Sequence, residues 1–235
     1  ELREIPYYGL METKIGGADC VISQTGFTGE KGYEIYVRDA HENAELVWNA
    51  VLEAGEEFGL MVIAPAHHRR IAAGILSWGQ DLDHETSPFQ VNLAYQVPRN
   101  KEADYIGKEE LEKQRAVMDA GDAPFKMKMV GLTLGGKEIT DYAPDFWLIA
   151  DTDGKDVGYI TSPWWSPELE TNIALAWVPW TSSEVGTKFQ VRLPDEYSES
   201  PGVPVGAEVV DVPFRESVNP NKREVQKEKG LDYAD

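Results

Sequence analysis

The chain has 235 residues, with 41 acidic against 22 basic side chains and a formal net charge of −19 at pH 7. This negative field disfavours nucleic acid and anionic membranes as partners, and an anionic ligand needs local basic residues to hold it. Hydrophobic residues make up 42% of the chain, which is typical of a globular protein. The single cysteine, Cys20, is predicted to be a small buried hydrophobe, and its isolation fits a cytoplasmic protein without a membrane span.

The first part of the chain mixes strands and helices. Residues 13–23 and 33–38 are predicted strands, joined by the glycine-rich connection GFTGEKG. An amphipathic helix is predicted over 39–59, with Asp39 as its N-cap. The apolar run LMVIAP, residues 60–65, predicts a short buried strand.

Two further helices follow. The segment 66–79, AHHRRIAAGILSWG, predicts a helix with Ile71 and Ile75 facing a core. A charged helix is predicted over 107–118. The small, polar and proline-containing residues 118–127 then indicate a domain boundary.

Beyond residue 127 the pattern changes to short strands with turn residues between them, which is typical of a small antiparallel barrel or sandwich. The predicted strands are 128–134, 146–151, 156–162, 173–179, 187–193 and 207–214. The predicted fold class is therefore α+β, divided into domains at 1–120 and 127–214 and a charged surface tail at 215–235.

Common catalytic and ligand motifs are missing or weak. TGFTGEKG precedes a strand rather than a helix, so it is not a phosphate-binding loop, and no G-x-S-x-G elbow is present. Adjacent His67 and His68 point to different helix faces. Asp81, Asp83 and His84 lack the glycine turn of a calcium loop and predict a solvated acidic loop, so no metal is expected. Acids are too abundant for paired carboxylates to be informative.

Two adjacent tryptophans, Trp164 and Trp165, lie between prolines in SPWWSP. Neighbouring residues of an extended segment face opposite ways, so one can fill a core and the other an external surface. Packing alone explains them, and a flat wall for a ring-shaped ligand remains an alternative.

Three segments in order resemble the glycine cleavage T-protein (aminomethyltransferase) superfamily of tetrahydrofolate-dependent one-carbon transferases. They are ISQTGFTGEKGYEIYV at 22–37, RRIAAGILSWGQDLDHETSPFQVNLAYQV at 69–97 and VGYITSPWWSPELETNIALAWVP at 157–179. The resemblance implies a folate-binding α/β portion followed by a small antiparallel barrel, with tetrahydrofolate as cofactor.

The resemblance also implies site residues. Glu34 corresponds to the family's glutamate that accepts two hydrogen bonds from the pterin ring, a match that a carboxylate's two parallel acceptors suit. Tyr36 shares its strand face and is expected to shape the folate pocket. Arg70 and Trp78 are further expected folate-site residues, and the two tryptophans of SPWWSP form a possible substrate wall.

Departures from the family pattern refine this hypothesis. Gln24 and Ala66 stand where the family has arginines, and Ala72 stands where it has a glutamate. The barrel segment looks closer to folate-dependent demethylases, which move a methyl group from a methoxy-aromatic or a sulfonium donor. The sequence therefore predicts an O- or S-demethylase, with the glycine cleavage aminomethyltransferase and a non-catalytic folate-binding protein as alternatives. Family members have a long region before these motifs, so the catalytic residues are expected in an N-terminal part or partner chain.

Overall fold

The computed structural model describes residues 2–99, 101–143 and 145–215. They form two compact units, one ending at Ala66 and one beginning at His67. This division lies upstream of the boundary expected near residues 118–127, and the domain limits given above remain a prediction. The predicted tail lies outside the described residues, apart from Arg215. The mixed helix and sheet content and the C-terminal barrel confirm the predicted fold class.

The first unit contains a three-stranded antiparallel sheet in the order β1-β2-β3. The strands are β1 (Leu10–Ile15), β2 (Ala18–Ser23) and β3 (Glu34–Val37). The single strand predicted over 13–23 is wrong, because the chain reverses within it. Both glycines at 16–17 have positive φ, of 59° and 96°, a conformation that favours glycine and closes a tight hairpin.

Helix α1 (Ala40–Glu56) covers one face of this sheet, where Val47 packs against buried Ala18 and Cys20. The prediction of a buried Cys20 is confirmed. Asp39 occupies the predicted N-cap position, but it adopts a left-handed conformation and its side chain makes no cap hydrogen bond.

The buried strand predicted at 60–65 is also wrong. These residues form no strand, and Met61, Val62 and Ile63 are each more than 60% exposed. An apolar run marks a buried strand only when a neighbouring strand pairs with it and covers it, and none of the described strands pairs with this segment. Residues 60–65 are therefore an apolar segment that is exposed at the surface.

In the second unit, helix α2 (His67–Ala72) is much shorter than predicted. Gly74 has a φ of 68°, its N–H donates to the Ile71 carbonyl at 2.9 Å, and the Ile75 N–H donates to the Arg70 carbonyl at 2.8 Å. This pair of bonds is a Schellman motif, which satisfies the last carbonyls and ends the helix. The predicted continuation through Ile75 to residue 79 is therefore wrong.

A loop region connects α2 to the barrel and contains the short 3-10 helix Pro88–Val91 and helix α3 (Lys108–Asp119). Ser87 and Gln90 form a capping box at the start of the 3-10 helix. Helix α3 confirms the charged helix predicted at 107–118.

A closed antiparallel barrel follows, in the strand order β4-β7-β6-β5-β8-β9 with β9 pairing back to β4. The strands are β4 (Met127–Leu134), β5 (Trp147–Ala150), β6 (Asp156–Ser166), β7 (Thr171–Pro179), β8 (Lys188–Val191) and β9 (Val205–Val210). Strand β7 is buried on both faces, because Ala174 and Ala176 fill the barrel while Ile173 and Leu175 pack with α2. This double burial explains its unbroken apolar sequence.

Candidate functional site

Glu34 begins β3 on the sheet face opposite α1. It pairs directly with Ser23, just as Tyr36 pairs with Val21. The Thr25 hydroxyl donates to Glu34 Oε2, and the Tyr36 hydroxyl donates to the same oxygen at 3.2 Å. Among the described residues no donor reaches Oε1. The carboxylate is therefore held through one oxygen and offers the other.

The surroundings of Glu34 suit a flat polar ligand. Glu34 is half-buried, whereas the Tyr36 ring is 56% exposed. Period-two alternation places both side chains on one face, as the sequence predicted. An exposed ring beside a fixed carboxylate can supply a stacking surface and an acceptor to the same planar group.

Gln24 lies between Ser23 and Thr25 and is 1% exposed. Its Oε1 and Nε2 atoms have no hydrogen-bond partner among the described residues. Gln24 stands where the family motif has arginine, and the smaller neutral side chain can be buried at a lower electrostatic cost than a guanidinium. A buried amide without partners still lowers stability.

Arg70 is the centre of a buried network in the second unit, and all five of its N–H donors have acceptors. The acceptors are Asp81 Oδ2 at 2.9 Å, the Ile75 carbonyl at 3.1 Å, Ser162 Oγ at 2.8 Å, Gln80 Oε1 at 3.4 Å and His67 Nδ1 at 3.4 Å. Its guanidinium is thus committed to the protein, and Arg70 ties the end of α2 to strand β6.

Asp81 completes this network. Its Oδ1 accepts from the Thr161 and Ser162 hydroxyls, each at 2.6 Å, and its Oδ2 also accepts from the Ser77 N–H at 2.8 Å. The residue is only 1% exposed, so the solvated acidic loop predicted from DLDHE is wrong at Asp81, although Asp83 and His84 are exposed. The sequence signal that was missed is the combination of Arg70 with the adjacent hydroxyl residues Thr161 and Ser162, which together satisfy the buried carboxylate of Asp81.

A cluster of three rings lies beside this network. His67 is 4.3 Å from Tyr142 and 5.3 Å from Trp164, measured between ring centroids. With Arg70 and Gln80, the rings line a cavity of about 10 Å³, close to what one water molecule needs. Sequence reasoning included Trp164 but missed Tyr142, because nothing local marks a loop tyrosine as the neighbour of a helix histidine.

The hydrogen bond from Arg70 Nε requires that Nδ1 of the His67 ring carries no proton. Burial lowers its pKa below the ordinary 6.5, and the nearby Arg70 guanidinium lowers this pKa further. Because Arg70 Nε donates to Nδ1, the ring proton belongs on Nε2, which hydrogen-bonds the Tyr142 oxygen. The Tyr142 oxygen also lies 3.3 Å from Nδ1, but the lone pair of Nδ1 already accepts from Arg70 Nε, so the Tyr142 hydroxyl proton can be donated to a group outside the ring.

The remaining predicted site residues are placed differently. Trp78 is 68% exposed in the loop after α2. Trp164 packs with the cluster between α2 and the barrel, and Trp165 is half-buried in β6. The structure therefore brings together Glu34 with Tyr36 and, separately, Arg70 with Trp164.

The described part of the chain contains neither a metal-binding cluster nor a helix that could span a membrane. No group of three or more His, Cys, Asp or Glu side chains is arranged to hold a metal ion there. In the same residues, no helix has the length and hydrophobicity that crossing a membrane requires.

A helix-covered antiparallel sheet followed by a closed six-stranded barrel defines the class, an α+β protein with a C-terminal barrel. Residues 1–101 match the family model of the GCVT N-terminal domain, and residues 128–215 match that of the glycine cleavage T-protein C-terminal barrel domain. The chain belongs to the glycine cleavage T-protein superfamily.

Individual relatives agree with this assignment. An aminomethyltransferase of Clostridium botulinum (strain Okra / Type B1) is 34% identical over 196 residues, which cover 82% of this chain and 50% of the relative. One of Geobacillus sp. (strain WCH70) is 31% identical over 217 residues, covering 91% and 54%. The chain thus spans about half the length of these curated relatives.

A solved structure shares the fold. The crystal structure of glycine cleavage system aminomethyltransferase T from Bartonella henselae superposes with a TM-score of 0.69 at 22% identity, covering 92% of this chain and 54% of that one. At this identity the likeness concerns the fold alone.

Proposed function

We propose that this chain binds tetrahydrofolate and takes part in one-carbon transfer, as a portion of an aminomethyltransferase of the glycine cleavage type. The observation that carries the proposal is Glu34, whose carboxylate is fixed through Oε2 and open at Oε1 beside an exposed tyrosine ring. Tetrahydrofolate supplies the nitrogen that accepts the one-carbon unit.

The residues present fit the pterin part of this cofactor. An amino-pyrimidine edge carries neighbouring N–H donors, and a carboxylate is the side chain that accepts two of them in parallel. The exposed ring of Tyr36 can pack on the same heterocycle. Glu34 would then orient the ring, and the protein's contribution to rate would come from positioning the reactants and excluding water.

Arg70 takes a supporting role in the proposal. Its donors are all used within the second unit, so it stabilises the α2–barrel connection rather than binding a ligand directly. Trp78, being exposed, stays a predicted ligand contact. Trp164 and Trp165 stay a predicted substrate wall.

The names of the relatives favour aminomethyl transfer over the demethylation that the sequence alone had suggested. Demethylation stays a second candidate because of the ring cluster of His67, Tyr142 and Trp164. A tyrosine hydroxyl free to donate, next to a tryptophan ring, suits an aromatic methyl donor whose leaving oxygen gains negative charge.

A calorimetric titration of the full chain with tetrahydrofolate tests the binding claim. We expect Glu34→Ala to weaken binding at least about tenfold, since hydrogen bonds to a charged group are lost. Glu12→Ala is the matched control, because Glu12 lies on the same sheet face and is bonded to Arg38 instead. Equal affinity of Glu34→Ala and wild type would reject the anchoring role.

Product analysis separates the reactions. The full-length protein is incubated with tetrahydrofolate and either an aminomethyl-lipoyl carrier or a methoxy-aromatic compound. Methylene-tetrahydrofolate from the first supports the proposal, and methyl-tetrahydrofolate from the second supports the demethylase instead. Folate binding without either product would indicate the non-catalytic alternative. The cytoplasmic location and the need for a further N-terminal part or partner chain stay predictions.

A further inference from the structure

The hydroxyl groups of Ser23 and Thr25 form a hydrogen-bonded chain that ends at the carboxylate of Glu34. Ser23 is 8% exposed and directly opposite Glu34 in the pairing of β2 with β3. Its Oγ lies 2.6 Å from Thr25 Oγ1, and the Thr25 hydroxyl in turn donates to Glu34 Oε2. The chain therefore runs from a buried serine at the end of β2 to the half-buried acid.

The direction of the hydrogen bonds along this chain is determined by its last member. A carboxylate only accepts, and Thr25 has a single hydroxyl proton, which it gives to Oε2. Ser23 must then donate to Thr25, because no proton remains to go the other way. Each donation polarises the next, so the chain strengthens the bond that holds the carboxylate.

We propose that Thr25, supported by Ser23, is a positioning residue that fixes the carboxylate plane of Glu34 and directs Oε1 toward a ligand's N–H donors. This inference rests on the proposed function and identifies the ligand group as an amidine-like pair of N–H donors on a flat heterocycle. One donor reaches Oε1, and its neighbour reaches the side of Oε2 that Thr25 leaves open.

Tyr36 has a different part in this arrangement. Its hydroxyl bond to Oε2 is 3.2 Å long and comes from an exposed ring, so it is the weaker of the two bonds to that oxygen. The second ligand donor takes its place, while the bond from Thr25 remains.

The test compares variants of the full chain by calorimetry, with tetrahydrofolate and with an analogue that lacks the 2-amino group. Thr25→Val should weaken tetrahydrofolate binding about tenfold and the analogue much less, because the analogue does not use both carboxylate oxygens. Thr25→Ser restores the hydroxyl and should bind within about twofold of wild type. Thr13→Val, the same change on the opposite face of the sheet, is the matched control.

A ligand-free readout separates this inference from the proposed function. In wild type the Thr25 hydroxyl proton should exchange slowly enough to give an NMR resonance, which Glu34→Ala should abolish. If that resonance is present but wild type binds no tetrahydrofolate, the proposed function fails and the hydroxyl chain stands. If wild type binds and Thr25→Val binds equally well, or Thr25→Ser fails to rescue, the positioning role is overturned.

Discussion

Gln24 illustrates how a single side chain can lower stability without any visible defect in packing. Its buried amide has no partner among the described residues, so folding removes it from water without replacing the lost hydrogen bonds. We expect Gln24→Met, which keeps the length and removes the polar atoms, to raise the free energy of unfolding by about 1 kcal/mol.

Urea denaturation measures this difference. Gln190→Met, the same change at an exposed position of β8, serves as the control and should alter the unfolding midpoint little. A loss of stability on replacing Gln24 would show instead that its amide is hydrogen-bonded in solution.

Asp81 is also buried but, unlike Gln24, is fully hydrogen-bonded, because its two oxygens accept four hydrogen bonds. Replacing it by Ala leaves the Arg70 guanidinium buried without its counter-charge, and we expect a loss of about 3–5 kcal/mol in the free energy of unfolding. The double variant with Arg70→Met should lose less than the two single changes together. Additive losses in denaturation experiments would contradict a direct coupling of the pair.

His67 makes stability depend on pH in a defined direction. Its pKa is lowered in the folded protein, first by burial and then by Arg70, so the unfolded chain binds the proton more readily. The contribution of His67 to the free energy of unfolding is complete above the ordinary pKa of 6.5 and decreases as the pH falls from there toward its lowered pKa in the folded protein.

Lowering the pH from roughly 7.5 to roughly 5.5 crosses the ordinary histidine pKa by about one unit on each side. This change should reduce the free energy of unfolding less for His67→Asn than for wild type. Asparagine can still accept from Arg70 but does not titrate. His84→Asn, at an exposed histidine, is the control. An identical acid response of wild type and His67→Asn would contradict the assigned cause.

Helices α2 and α3 end in the same way, which allows a matched pair of substitutions. Gly74 and Gly121 both have positive φ, of 68° and 86°, and both donate to a carbonyl in the last turn. An added Cβ at Gly74 would approach Val212 Cγ1 to 2.6 Å, whereas at Gly121 it meets nothing within 4 Å. Both alanine variants should lose about 1 kcal/mol from the left-handed conformation.

The Gly74→Ala variant should lose more than Gly121→Ala, because only it must also displace Val212. Thermal or urea unfolding of the two variants measures the difference directly. Equal losses would mean that the segment around Val212 yields without a free-energy cost.

The elements differ in how far their sequences determine them. Strands β4, β5, β7 and β8 and helix α3 were predicted within about two residues of their observed bounds, because turn residues separate short apolar runs. The bounds of β6 and β9 were predicted less well, since β6 continues to Ser166 and β9 already ends at Val210. The hairpin β1–β2 and the end of α2 were missed, since each depends on glycines with positive φ that periodicity does not register.

The site residues divide in a similar way. Glu34 and Tyr36 share a face by simple alternation, which a strand sequence reveals. The partners of Arg70 could not be inferred, because Ser162 lies 92 residues away and only the closed barrel brings it to the helix. The hydroxyl chain behind Glu34 was equally hidden, since it depends on the register of β2 against β3.

The net charge of −19 affects every anionic ligand. Tetrahydrofolate, the ligand of the proposed function, carries carboxylates in its tail, so the overall field would oppose its approach. We expect its affinity to rise as salt increases from roughly 50 mM to roughly 500 mM, because screening weakens this repulsion. Calorimetry at several salt concentrations tests this, with a neutral pterin lacking the tail as the control. Affinity that falls with salt would indicate a dominant local basic site.

The net charge also affects self-association, because the apolar segment at 60–65 is exposed. Met61, Val62 and Ile63 lie at the surface, and two molecules meeting through such segments would both remove apolar area from water. Mutual repulsion between strongly acidic molecules opposes that encounter. The excess of carboxylates can thus act as a colloidal stabiliser, and acidification, which neutralises them, should bring aggregation before it brings unfolding.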